Sequence, residues 1–163
     1  MNYDEKETLP ISRNEFAELE IFKNIQFEKL AGFLLPCKTK EVEQGTTLIS
    51  PDNPNIDLVI VLRGSLEVKL ESEGGTFTST IEQGHCAGEM SIFDSIPPSA
   101  TVSAKENSKV LLIPSDIARA MISASHELSL NFLLILSQRI RNNNKIVCEE
   151  QYHIRRMEEY AKV

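Results

Sequence analysis

The sequence predicts a mainly β domain, a β-roll or jelly roll (double-stranded β-helix) flanked by helices and followed by one long C-terminal dimerisation helix. Three observations predict it. Between Lys38 and Ile113, short runs of Val, Ile, Leu and Thr are separated by turn signals at Glu43-Gln44-Gly45, Pro51-Asp52-Asn53-Pro54, Arg63-Gly64, Glu73-Gly74-Gly75 and Gln83-Gly84, the texture of many short strands. None of the connections is long enough for the crossover helices of a parallel α/β sheet, so the strands must close on themselves. From about Glu127 to Tyr160 there is neither Gly nor Pro, which permits a helix of roughly 50 Å.

Residues 1–11 are polar and run to Pro10, and read as a flexible N-terminal arm. The body of the domain, residues 12–125, opens on helical signals. Ser12 stands three residues before Glu15 in a capping-box arrangement, and apolar residues recur at Phe16, Leu19, Phe22, Phe27, Leu30, Phe33 and Leu34, which predicts two short helices with a break near Asn24. Leu58-Val59-Ile60-Val61-Leu62 is a continuous apolar run, suited to a strand buried on both faces. Ser65 to Leu70 alternates instead, with Leu66, Val68 and Leu70 on one face. After Pro114-Ser115-Asp116, helical spacing returns with Ile117, Ala120 and Met121.

The last segment, residues 126–163, carries a coiled-coil seam: Leu133, Leu136, Ile140, Asn143, Val147, Glu150, Ile154, Met157 and Ala161 follow one another in steps of three and four. One small roll cannot cover so long a stripe, which predicts a homodimer through this helix.

Composition bounds the function. The chain has 163 residues, 41% hydrophobic and 25% charged, which is the make-up of one folded domain. A net charge of -7 gives no general attraction to nucleic acid or anionic membrane. Arg139, Arg141, Lys145, Arg155 and Arg156 on the long helix are balanced by Glu149, Glu150, Glu158 and Glu159, a solvated coiled-coil face. No signal-peptide h-region and no membrane-length apolar window occurs, so a cytoplasmic location is expected. Cys37, Cys86 and Cys148 are far apart and read as reduced residues. His85, His126 and His153 each stand alone, so no metal site is expected, and no nucleophile elbow, zinc-protease helix, Walker loop or dinucleotide fingerprint is present. The chain is therefore not expected to be an enzyme.

The chemistry concentrates in Gly84 to Val102. Gly88 permits close backbone approach, and the N–H groups of Glu89, Met90 and Ser91 open a helical turn that can receive an anion. The Glu89 carboxylate can accept hydrogen bonds from paired hydroxyls, or it can simply favour the start of a helix by its charge.

Gly88-Glu89-Met90-Ser91-Ile92, followed after a spacer by Pro97-Pro98-Ser99-Ala100-Thr101-Val102, resembles the phosphate-binding cassette of the cyclic nucleotide-binding domain family, as in catabolite activator proteins and the regulatory subunits of protein kinase A. Val61 to Val68 resembles the family's V-L-x-G-x-L-E-V strand turn, Gly45 with Leu48-Ile49 its first strand turn, and Ser137 to Arg141 the start of its dimer helix. The resemblance runs from about Phe22 to Asn144. It implies a β-roll whose ligand, a cyclic nucleotide or related anionic nucleotide, would touch Gly88, Glu89, Met90, Ser91, Ser99, Ala100 and Thr101, with Glu89 serving the ribose. Asn143 and Asn144 correspond to positions that reach the purine; the polar Asn143 can equally set coiled-coil register.

The sequence departs from the family at Pro98, where the arginine that pairs with the cyclic phosphate is expected. Proline offers neither charge nor N–H, and an arginine fork contributes two bonds of about 1.5–3 kcal/mol each. Two functions stay open: a cytoplasmic signalling module that senses a small anionic ligand and transmits it through a dimer helix to an effector protein, or a degenerate domain acting as a protein-protein interaction scaffold. No helix-turn-helix follows the long helix, so direct DNA binding is not expected.

Overall fold

The computed structural model describes residues 9–53, 57–73, 75–94 and 96–160. Among the described residues, eight strands form two four-stranded antiparallel sheets. They are β1 (Lys38–Val42), β2 (Thr47–Ile49), β3 (Asp57–Arg63), β4 (Leu66–Ser72), β5 (Gly75–Ile81), β6 (Cys86–Ala87), β7 (Thr101–Ala104) and β8 (Ser108–Pro114). One sheet has the order β1-β8-β3-β6 and the other β2-β7-β4-β5. Around them lie α1 (Arg13–Glu18), a 3-10 turn (Glu20–Phe22), α2 (Phe27–Leu34), α3 (Glu89–Asp94), α4 (Ser115–Ala124) and α5 (His126–Tyr160).

The first sheet is the middle layer. On β3, Val59 and Val61 join Val42, Ile49, Leu66, Ile81, Ala87, Val102, Ala104 and Val110 in a core between the two sheets. Leu58, Ile60 and Leu62 point the other way, into a second core with Phe16, Phe22, Leu30, Leu34, Met121, Leu128 and Phe132 of the helices. All five residues of the apolar run are buried, so the absence of polar alternation is the signature of a strand covered on both sides.

The helical entry follows its local signals. Ser12 Oγ accepts from the Glu15 N–H and Glu15 accepts from the Ser12 N–H, the reciprocal capping box. The chain then breaks at Asn24, which adopts φ 62, a conformation Asn tolerates better than most residues. One boundary needs correction: the arm does not extend to residue 11. Ile11 is buried and Leu9 packs against the helical core, because the apolar pair beside Pro10 gains by leaving water. Residues 1–8 of the arm, the turn residues Pro54 and Gly74, and the seam's final Ala161 lie outside the described residues.

Leu66, Val68 and Leu70 do share the inward face of β4, opposite Ile81, Ser79 and Phe77 of β5. Burial falls along it, however, from 0% exposed at Leu66 to 39% at Leu70 and 38% at Phe77. The roll is closed at one end and open at the other.

Gly64 turns the chain from β3 into β4 at φ 84, directly beside β8. A Cβ there would collide with Ser108 Oγ and stand 3.0 Å from the Asn107 carbonyl oxygen, whereas a Cβ on Gly45, at φ 85, would meet nothing within 4 Å. Gly64→Ala is therefore expected to cost about 2–4 kcal/mol, strain plus overpacking, and Gly45→Ala only about 1–2 kcal/mol. Urea denaturation of the two variants measures the difference; equal losses would show that the contact with Ser108 is not a constraint.

Candidate functional site

The turn between β6 and α3 sits where the middle sheet meets α5. Gly88 adopts φ 87, a left-handed conformation that needs no Cβ, and redirects the chain from the short strand Cys86–Ala87 into α3. Ala87 and Ile92 anchor the segment in the two cores. On α4, Arg119 Nε donates to the Ile92 carbonyl at 2.8 Å, which ties the underside of α3 to the helical layer. The Asp94 carboxylate accepts from the Ile96 N–H at 2.9 Å and begins the loop toward Pro97-Pro98.

Glu89 is almost fully buried, 2% exposed. Its carboxylate accepts from Arg139 of α5, and the same guanidinium donates a second N–H to the Cys86 carbonyl. One arginine thus grips both the first residue of β6, Cys86, and the first helical residue after Gly88, Glu89. Arg139 keeps 35% of its side chain exposed while Glu89 keeps 3%, so the pair is wet on the cationic side and dry on the anionic side. Burial, and next the Glu89 charge, push the Cys86 thiol up to about 12, so the thiol stays neutral beside the pair.

Arg139 is the residue at the Gly88 turn that the sequence did not single out. It belongs to the basic run of the long helix, where Arg139 and Arg141 look alike. Its distinguishing signal is phase: Leu128, Phe132, Ile135 and Arg139 follow at helical spacing, and the first three are buried against the roll. Arg139 continues the face that touches the domain.

The predicted site residues do not all converge. Gly88, Glu89, Met90 and Ser91 form the turn, and Ala100 and Thr101 enter β7, whose Val102 lies opposite Val68 on β4. Met90 and Ser99 are exposed, Ser91, Pro98, Ala100 and Thr101 partly so. Asn143 and Asn144 are exposed on α5, about 6 Å beyond Arg139 along the axis. Other cations near the roll are engaged elsewhere: Arg63 pairs with Glu41 at 3.0 Å, and Lys105 donates to Thr80, on the outward side of β5, at 3.0 Å. Among the described residues, no group of three or more His, Cys, Asp or Glu side chains comes together to hold a metal ion, and no single helix is long and apolar enough to cross a membrane.

Residues 39–125, more than half of the chain, match the family model of the cyclic nucleotide-binding domain. Among solved structures, a cyclic nucleotide-binding domain from Methylobacillus flagellatus aligns with a TM-score of 0.73 at 21% identity, covering 84% of each chain. The catabolite activator protein of Thermus thermophilus aligns with a TM-score of 0.68 at 22% identity, over 78% of this chain and 61% of that one. At these identities the likeness is one of fold. A putative potassium channel protein of Rhodopseudomonas palustris is 20% identical over 127 residues, 78% of this chain, and the chain spans 31% of that relative's length.

The asymmetry of burial makes the bridge testable. Arg139→Met strands a buried carboxylate and is expected to cost about 3–5 kcal/mol. Glu89→Gln leaves an acceptor for a cation that already reaches water, and is expected to cost about 1–2 kcal/mol. The double variant should be more stable than the sum of losses implies, because no unpaired charge remains. Chemical denaturation of the four proteins gives the coupling, and strict additivity would mean that the pair contributes nothing as a pair.

Proposed function

The chain belongs to the cyclic nucleotide-binding domain family, and from that premise we propose that it is a dimeric regulatory module, not an enzyme, working in the cytoplasm. A small anionic ligand of the nucleotide kind binds the turn after Gly88, and α5 carries the response to a second copy and to an effector protein. The observation that carries this reading is the grip of Arg139 on Glu89 and the Cys86 carbonyl. It makes the site's carboxylate a contact point of the long helix.

A ligand that presents hydroxyl groups to Glu89 must share the carboxylate with Arg139 or displace it. An anionic ligand meets, in Arg139, a guanidinium with more donors than its two partners use, standing in for the cation that Pro98 does not supply. Either event changes what α5 rests on, and a ligand that interacts differently with the two helix positions shifts their balance. In this reading Gly88, Glu89, Met90, Ser91, Ser99, Ala100 and Thr101 face the ligand, the apolar side chains of Val68, Leu70 and Phe77 offer a wall for a base, and Asn143 and Asn144 reach it only if α5 moves or a second helix arrives.

The same bridge supports a second reading, in which Arg139 permanently closes the site and the domain is a scaffold for protein contacts. Calorimetry separates the two. With cyclic AMP, cyclic GMP and cyclic dinucleotides, the sensor reading expects weak binding of at least one, strengthened about tenfold or more by Pro98→Arg, which restores charge-assisted bonds to a phosphate. Absence of heat across the panel for both proteins overturns the ligand part and leaves the scaffold.

A further inference from the structure

The dimer reading leaves two apolar patches without an explanation. Along α5, Leu133, Ile140, Val147 and Ile154 recur at every seventh residue and are 62%, 61%, 50% and 58% exposed. They form the a line of a heptad seam, with Leu136, Asn143, Glu150 and Met157 on the d line. Beside that seam, Met90, Phe93 and Ile96 of α3 and its loop are 59%, 51% and 61% exposed, and Leu130 and Leu134 of α5 are 45% and 62% exposed.

The two patches flank the seam on opposite sides. Phe93 meets Phe132 edge to face, with ring centroids 5.3 Å apart. Phe132 lies about 100° to one side of Leu133 around the helix, the g flank, while Leu130 and Leu134 lie about 60° and 100° to the other side. In a parallel two-stranded pair, the g flank of each helix faces the e flank of its partner. An antiparallel pair would set like flanks together instead. β-Branched residues at three of the four a positions suit the parallel two-stranded form.

Resting on the dimer reading, we propose that a second copy of this chain seats its Leu130–Leu134 flank on the α3 patch of Met90, Phe93 and Ile96, and receives the first copy's flank in return. Each cassette turn is then packed from outside by the partner's helix as well as gripped from inside by its own Arg139. The patches are mutually complementary, one concentrated on α3 and the other on the opposite flank of α5, so a parallel pair buries both twice.

Paired cysteines in the full chain, with the exposed Cys148 changed to Ser, test this. Val147→Cys alone reports a parallel seam, since the a position meets its own copy. Met90→Cys combined with Leu134→Cys reports the patch contact. Under mild oxidation both are expected to migrate at twice the monomer mass and to return to monomer on reduction, while Met90→Cys and Leu134→Cys singly stay monomeric on the gel. A bond at Val147 with none between positions 90 and 134 overturns the patch contact and leaves the dimer standing. No bond at Val147, with a monomer mass by light scattering, removes the dimer itself and this inference with it.

Discussion

The sheet β1-β8-β3-β6 must be covered on both faces, and most of the structure follows from that requirement. Its strand β3 carries apolar side chains on each side without a break. The second sheet covers one face and closes the roll; α1, α2, α4 and the first turns of α5 cover the other. Because α5 is drawn across the middle sheet by Leu128, Phe132 and Ile135, it passes over β6 and the Gly88 turn, and Arg139, on the same face, arrives at Glu89. A helix held on one face in this way has its opposite face free for a partner.

A carboxylate as buried as Glu89 is expensive without a cation, since desolvation is recovered only through pairing and hydrogen bonds. The pair therefore does more than attach a helix. It makes the position of α5 and the hydrogen bonding of the Gly88 turn one problem, because whatever relieves Glu89 of its need for Arg139 also weakens the hold on the helix. In the proposed sensor, a ligand hydroxyl would act through the same carboxylate as a changed side chain at position 139. Under the proposed sensor reading Pro98 sharpens this, for a proline supplies no charge and the cation for an anionic ligand would come from outside that loop.

The fold was legible because its signals are local or periodic. The doubly covered strand showed as an unbroken apolar run, the capping box as Ser12 with Glu15, the Gly88 turn as a glycine opening a helical turn, and the long helix as thirty-odd residues without Gly or Pro. The site was legible only in part. Arg139 comes from far along the chain and is told from Arg141 only by the phase of α5 against the roll, a phase fixed by tertiary packing. Leu70 and Phe77 follow the inward pattern, yet alternation gives the face and not the depth, and they lie at the roll's open end. Leu9 and Ile11 were hidden by the polar residues before them, although both side chains join the helical-side core.

Magnitude decides what kind of signal such a bridge can pass. To turn a helix from nearly all in one position to nearly all in another, a ligand must favour one state by about 5.5 kcal/mol. Charge-assisted hydrogen bonds contribute about 1.5–3 kcal/mol each, so exchanging the two that Arg139 makes falls within reach of that shift, while a single weak contact does not. In the proposed sensor, the chemistry at Glu89 and the Cys86 carbonyl is therefore of the right size to switch α5 only if both bonds are exchanged together. This is why, in that proposal, one guanidinium bonded to both Cys86 and Glu89 is a better coupling element than two separate contacts.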